Sequence, residues 1–163
     1  MSRAAGILMP ITSLPGKYGI GCFSKEAYAF IDWLKEAGQT YWQILPIHPT
    51  SYGDSPYQSF STFAGNPYFI DLEELIEEGM LTREECDSMD FGDDEDDIDY
   101  EDQYQNRYIL LTMAYERSNI SQNPDYQRFV EENRWWLDDY ALFMALKNFF
   151  KGQCWNEWPQ DIR

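Results

Sequence analysis

The sequence is poor in the residue types on which nucleic-acid and zinc binding depend. Only 12 of its 163 residues are Lys or Arg, against 29 Asp and Glu, which gives a formal net charge of −17. Phosphate backbones need clustered cations, and anionic membrane surfaces repel so acidic a chain, so neither nucleic acid nor a membrane is an expected partner. The single histidine, His48, leaves no set of zinc ligands at a usable spacing, so no metal is expected there.

Cysteine is scarce, and no long hydrophobic run is present. Cys22, Cys86 and Cys154 lie far apart and form neither a CxxC pair nor a disulfide framework, which favours a reducing, cytoplasmic location. No apolar run is long enough to span a bilayer, and the N-terminus lacks the pattern of a signal peptide. The acidic run at residues 90–102 lacks the sixth-position glycine of an EF-hand, so it is predicted to be a solvated loop.

Against these absences, the first fifty residues show the pattern of a βαβ unit. Short apolar runs at residues 5–9 and 41–47 predict two buried strands. Between them, Ser24 can cap a helix that continues to about Ala37 and stops at Gly38. This order implies a parallel sheet with a right-handed crossover, and the continuously apolar strands predict that both sheet faces are covered.

The remaining residues predict short elements followed by long helices. Residues 68–70 suggest an extended segment, and Asp71 and Thr82 can each cap a short helix. Helices are then expected at residues 100–119, 124–133 and 134–150. A set of aromatic and apolar residues in the last helix is spaced with the helical period, which favours a core position for its members: Trp135, Trp136, Tyr140, Phe143, Met144 and Phe149. Two strands cannot complete a parallel sheet, so the sequence is expected to be the start of a longer α/β protein.

The most informative segment is the loop at residues 51–59, directly after the second predicted strand. Loops in this position carry the functional sites of α/β proteins. This one has no phosphate-cradling glycine pattern, but it offers tyrosine faces, hydroxyls, an amide and one carboxylate, which suit a sugar. A single Asp54 is not the carboxylate pair of a glycosidase, and a turn role is favoured for it. For Tyr52 and Tyr57, the residues alone leave ligand binding and loop packing about equal.

Four separated blocks of sequence carry a family resemblance. They are residues 6–21, 41–72 with its Asp-Ser-Pro-Tyr-Gln-Ser motif, 135–147 and 155–159. Together they resemble the amylomaltase or disproportionating-enzyme family of 4-α-glucanotransferases. The resemblance implies the N-terminal part of a (β/α)8 TIM barrel with a helical inserted subdomain. Residues 1–72 would supply the first two β/α units and the substrate loop, and residues 73–163 the acidic loop and the helical insert.

The resemblance also implies an activity and a substrate class. Members of this family transfer α-1,4-glucan segments between maltodextrins by a retaining double displacement on paired carboxylates, without an organic cofactor. The motifs of those carboxylates do not occur in these 163 residues, so the chain alone is expected to be inactive. The alternative is a non-catalytic module that binds maltooligosaccharides or assembles with the rest of its barrel. Truncation before the barrel is complete would expose apolar sheet edges, which favours self-association of the chain.

Binding roles follow from the resemblance at five positions. Tyr57 is expected to stack on the sugar at the cleavage point. Asp54 and Ser55 would shape the same loop and touch sugar hydroxyls. Tyr52 and Tyr104 match the tyrosines of a second, remote glucan-binding groove.

Overall fold

The computed structural model of the chain describes residues 3–94 and 96–163. It separates into two compact units, Met1–Asn119 and Ile120–Arg163. The sequence predicts another boundary, after residue 72, between the barrel strands and the helical insert. This boundary stays a prediction.

The first unit contains the predicted βαβ arrangement. Strand β1 (Gly6–Leu8) is followed by helix α1 (Lys25–Glu36) and strand β2 (Tyr41–Gln43), and the two strands pair in parallel. Gly6 lies opposite Tyr41, where a Cβ would come within 2.5 Å of the Tyr41 carbonyl oxygen. Only glycine therefore permits this close approach of the two backbones.

Both strands are shorter and more exposed than the sequence predicts. They occupy three residues each instead of the apolar runs 5–9 and 41–47. Leu8 is 57% exposed and Tyr41 is 66% exposed, so the expectation of two covered faces is wrong for this chain. On the covered side, Trp42 packs edge-on against Phe30 of α1, with ring centroids 4.9 Å apart. Ile11, Leu14 and Phe69 belong to the same core cluster as Ala27 of α1 and Trp42.

Short helices after residue 66 follow local capping signals. A 3-10 turn, Pro67–Phe69, replaces the extended segment predicted there, because the Asn66 side chain accepts a hydrogen bond from the backbone N–H of Tyr68. Helix α2 (Leu72–Glu77) is capped by Asp71, as predicted. Helix α3 (Arg83–Asp87) begins with the capping box of Thr82 and Glu85.

A long helical segment holds the loops of the first unit together. It consists of α4 (Tyr100–Asp102), a π-helical turn (Gln103–Arg107) and α5 (Tyr108–Arg117). Its inner stripe comprises Gln103, Arg107, Leu110 and Ala114, all buried. The two apolar members belong to a core cluster with Tyr18, Leu72, Leu81, Cys86 and Phe91.

The two polar residues of this stripe form a buried bridge. The Gln103 amide donates to the carbonyl oxygen of Tyr18 at 2.7 Å, and Arg107 donates to Gln103 at 3.2 Å. Arg107 also donates from Nη2 to the carbonyl oxygen of Ile70 at 2.6 Å. Removal from water lowers the pKa of the Arg107 guanidinium. The bridge therefore ties the helical segment to the loop after β1 and to the turn before α2.

The second unit is dominated by one 26-residue helix, α6 (Pro124–Phe149), where the sequence predicts two helices that divide after Asn133. The side chain of Asn133 does not cap a new helix. It donates to the Phe129 carbonyl at 2.8 Å and accepts from the Trp136 indole at 3.0 Å, so the backbone continues unbroken. Apart from α6, the described part of this unit includes 3-10 turns at Ile120–Gln122 and Trp155–Glu157.

The predicted core role of the α6 aromatic residues is wrong at its two most exposed positions. Trp135 is 67% exposed and Phe149 is 77% exposed. The unit instead buries Trp158, which packs against Phe143 and Phe150 with ring centroids 5.7 and 5.5 Å away. Within the described residues, no helix has both the length and the apolar character needed to cross a membrane.

Two glycines with nearly the same φ angle allow a test of how tightly the loop after β1 is packed. Gly19 (φ +71°) has the Phe91 carbonyl oxygen 2.3 Å and the Gln103 amide nitrogen 2.8 Å from the position of a Cβ, whereas Gly38 (φ +70°) has open space. We expect Gly38→Ala to cost about 1–2 kcal/mol of unfolding free energy from backbone strain alone. Gly19→Ala should cost at least about 2 kcal/mol more, because it adds a steric clash. Urea unfolding of both variants measures the difference, and equal costs would contradict the tight packing at Gly19.

Candidate functional site

The loop after β2 is closed by its own backbone. Thr50 and Ser59 form an antiparallel bridge, and the Ser51 N–H donates to the Gln58 carbonyl at 3.1 Å. At the tip, Gly53 has φ +88° and Asp54 has φ +55°, and the Asp54 N–H donates to the Ser51 carbonyl at 3.0 Å. Asp54 therefore has the turn role that its sequence context favours, in a left-handed conformation that Asp tolerates better than most residues.

The loop presents its tyrosines to solvent. Tyr52 is 98% exposed and Tyr57 is 73% exposed. Neither ring is therefore buried by packing within the loop. The Ser55 hydroxyl accepts a hydrogen bond from the Tyr57 N–H at 3.3 Å, which ties the motif together at its centre. A planar ring held on a closed loop can pack against the C–H face of a sugar.

Beneath the loop lies a small cavity of about 90 Å³ where three chain segments meet. Thr12 comes from the loop after β1, Asp54 from the loop after β2, and Tyr100 from the start of α4. Burial raises the pKa of the Asp54 carboxyl. Burial and the Asp54 charge also raise the pKa of Tyr100, so this phenol keeps its proton at neutral pH.

A cluster of tyrosines extends from this cavity. Tyr68 lies against Tyr100 with ring centroids 6.2 Å apart and against Tyr108 at 6.3 Å. Tyr104 meets Tyr108 at 5.4 Å and is itself 59% exposed. Among the described residues, no ring contact joins Tyr104 to Tyr52, so the two predicted groove residues are not brought into contact.

The sequence analysis missed Tyr68 and Tyr100 as parts of this site. Tyr68 is 5% exposed and lines the cavity together with Tyr100. A signal for Tyr100 was present, because Tyr100, Tyr104 and Tyr108 recur every four residues and so share one face of a helix. Burial also raises the pKa of Tyr68, with the Asp54 charge adding to the shift.

His48 has the structural role expected for a lone loop histidine. Its Nδ1 lies 3.3 Å from the Ala64 carbonyl oxygen, to which it donates in the Nδ1–H tautomer. In residues 3–94 and 96–163, no group of three or more His, Cys, Asp or Glu side chains is placed to hold a metal ion.

Comparison with known proteins identifies the family of this fold and loop. The family model described as 4-alpha-glucanotransferase matches residues 9–163. The chain belongs to the 4-alpha-glucanotransferase family. The 4-alpha-glucanotransferase of Clostridium butyricum is 51% identical to it over 155 residues, which are 95% of this chain and 32% of the relative. That of Thermus thermophilus is 47% identical over 167 residues, covering 100% of this chain and 32% of the relative.

A solved structure agrees with this family. The amylomaltase from Streptococcus agalactiae in complex with acarbose superposes with a TM-score of 0.88 at 43% identity. The match covers 98% of this chain and 32% of the amylomaltase. The chain spans about a third of the length of these relatives, and within that third it is an α/β structure with a small parallel sheet.

Asn66 offers a direct test of how the cavity wall is held. It is buried, its side chain caps the turn that carries Tyr68, and its N–H donates to the Ile47 carbonyl at 2.9 Å. We expect Asn66→Ala to lower the unfolding free energy by about 1–2 kcal/mol more than Asn66→Ser, because serine has nearly the size of alanine and still provides a capping oxygen. Urea unfolding of the two variants gives the comparison, and equal losses would show that the cap contributes nothing.

Proposed function

We propose that these residues work within a longer 4-α-glucanotransferase that transfers α-1,4-glucan segments between maltooligosaccharides. In this proposal they supply the first two β/α units of a (β/α)8 TIM barrel, with a helical inserted subdomain. The observation that carries the proposal is the family match over residues 9–163, joined to an exposed tyrosine on a closed loop at the carboxyl end of β2. In β/α barrels, that end of the strands is where the active site is built.

The contribution of this chain to the reaction is to bind and orient the glucan. The Tyr57 ring would lie against the C–H face of the sugar at the cleavage point. Ser55 holds the Tyr57 backbone, and Asp54 fixes the turn beside it. A sugar fixed in this way reaches the catalytic carboxylates in one orientation, which lowers the entropic part of the barrier.

Two observations support a glucan as the substrate class. The amylomaltase neighbour was solved in complex with acarbose, which favours a sugar ligand for this fold. In this chain, the exposed rings of Tyr52 and Tyr104 are available for a longer glucan, and we propose that they serve a second groove away from the cleavage point. No organic cofactor is proposed, because the retaining mechanism uses carboxylates alone.

Tyr57 provides the test of the binding role. In the full-length enzyme that contains these residues, Tyr57→Ala should lower kcat/KM for maltotriose about tenfold or more, because it removes the stacking surface. Tyr57→Phe keeps the ring and should stay within about threefold. Tyr115→Ala removes a tyrosine that is 63% exposed on α5 and serves as the control, with little expected change. A Tyr57→Ala enzyme as active as the control would remove Tyr57 from the site.

If this chain contributes glucan binding and the rest of the enzyme contributes the catalytic carboxylates, the isolated chain should have no transferase activity. The carboxylate motifs of the family are not found in residues 1–163, so no nucleophile or acid/base pair is available. The purified chain incubated with maltotriose should yield neither glucose nor longer maltodextrins by chromatography. Formation of both products would show that the chain carries its own catalytic groups.

A further inference from the structure

A second cavity of the first unit lies where the loop after β1 meets the beginnings of helices α1 and α2. Its volume is about 340 Å³, which is at the lower end of the range for sites that hold small molecules. It shares no lining residue with the cavity beneath the loop after β2. A ligand of this cavity would therefore be small, and the chemistry of the lining decides its class.

Arg107 supplies a buried donor that has no partner. The residue lines this cavity and is 1% exposed. Its two terminal nitrogens donate to the Gln103 side chain and to the Ile70 carbonyl oxygen, whereas its Nε has no hydrogen-bond partner among the described residues. An unsatisfied N–H on a buried cation is costly, so an acceptor that enters the cavity and reaches Nε would be bound favourably.

The beginning of α1 supplies further donors. Ser24 stands at the N-cap position, but its side chain makes no capping hydrogen bond, although its residue type favours one. Its hydroxyl instead donates to the Glu26 carboxylate at 2.6 Å. The first N–H groups of this twelve-residue helix therefore receive no acceptor from Ser24, and they can donate to a ligand oxygen.

The charges around the cavity favour a neutral ligand. Three cations and three carboxylates belong to the lining: Lys17, Lys25, Arg107, Glu26, Asp71 and Glu73. Both lysines form ion pairs with carboxylates outside this set, and Glu73 forms a two-pronged pair with Arg83. Among the groups that remain, two carboxylates would repel an anion, and a cation would leave the Arg107 Nε unsatisfied. A hydroxyl group can accept from Nε and donate to a carboxylate at the same time.

We propose that this cavity is a binding site for a single pyranose sugar, of which glucose is the simplest probe. A pyranose is uncharged and carries hydroxyl groups around its ring. It therefore offers acceptors to Arg107 and to the N–H groups of α1, and donors to Glu26 and Asp71. The proposed function assigns no ligand to these residues, so this site is an addition to it.

Amide hydrogen exchange of the full-length enzyme, with and without glucose, tests this site. Saturating glucose should slow the exchange of residues 16–26 about fivefold, because the sugar covers the N–H groups at the beginning of α1. Glu26→Ala removes a carboxylate at an exposed position and should raise the glucose concentration for half-maximal protection about tenfold. Glu36→Ala removes the same side chain at the other end of α1, away from the cavity, and is the matched control with no expected change.

The absence of protection at residues 16–26 in the parent enzyme would overturn the proposal. Protection that is unchanged in Glu26→Ala would also overturn it, because the sugar then binds elsewhere. Equal protection by sodium phosphate would show an anion site instead of a sugar site. If urea unfolding shows that Glu26→Ala is less stable than Glu36→Ala, Ser24→Ala takes its place, with an expected rise of about threefold for one lost hydroxyl. All of these readouts measure binding, so they decide the proposal whether or not the full-length protein transfers glucan.

Discussion

The buried bridge formed by Gln103 and Arg107 is the constraint on which the first unit depends. Its donors end on the carbonyl oxygens of Tyr18 and Ile70, which lie 85 and 37 residues away from their donors along the chain. Arg107 is 1% exposed, and desolvating its guanidinium costs several kcal/mol, so the hydrogen bonds that this group makes must be kept for the fold to persist. The π-helical turn belongs to the same arrangement, because the two side chains enter the core from within it.

The consequences of this bridge reach the loop after β2. Because Gln103 and Arg107 fix the helical segment, Tyr100 enters the cavity at the loop base and Tyr104 stays at the surface on the same helical face. The tyrosine cluster then continues through Tyr68 and Tyr108. A polar bridge in the core thus fixes the helical segment from which Tyr100, Tyr104 and Tyr108 project.

Local signals in the sequence predicted the parts of the fold that depend on neighbours in the chain. Asp71 and Thr82 cap their helices, and Gly38 follows the end of α1 with a positive φ, all as expected from capping chemistry. The loop at residues 51–59 and the turn role of Asp54 were also found in this way. The roles of Tyr52, Ser55, Tyr57 and Tyr104 in glucan binding stay predictions.

The features that could not be predicted from the sequence depend on contacts between distant residues. Arg107 is a cation, and arginine is ordinarily expected at the surface, so its buried position could not be predicted from its residue type. The continuous helix α6 depends on where the Asn133 side chain bonds, which its residue type does not reveal. The exposure of Leu8 and Tyr41 likewise reflects what packs against the sheet, and an apolar run cannot report that.

A crystal structure of the full-length enzyme with a bound maltooligosaccharide would show whether the loop carrying Tyr57 binds glucan at the point of transfer. We expect a sugar ring whose C–H face lies within about 4 Å of the Tyr57 ring, next to the catalytic carboxylates. A glucan bound at those carboxylates while Tyr57 faces open solvent would contradict it.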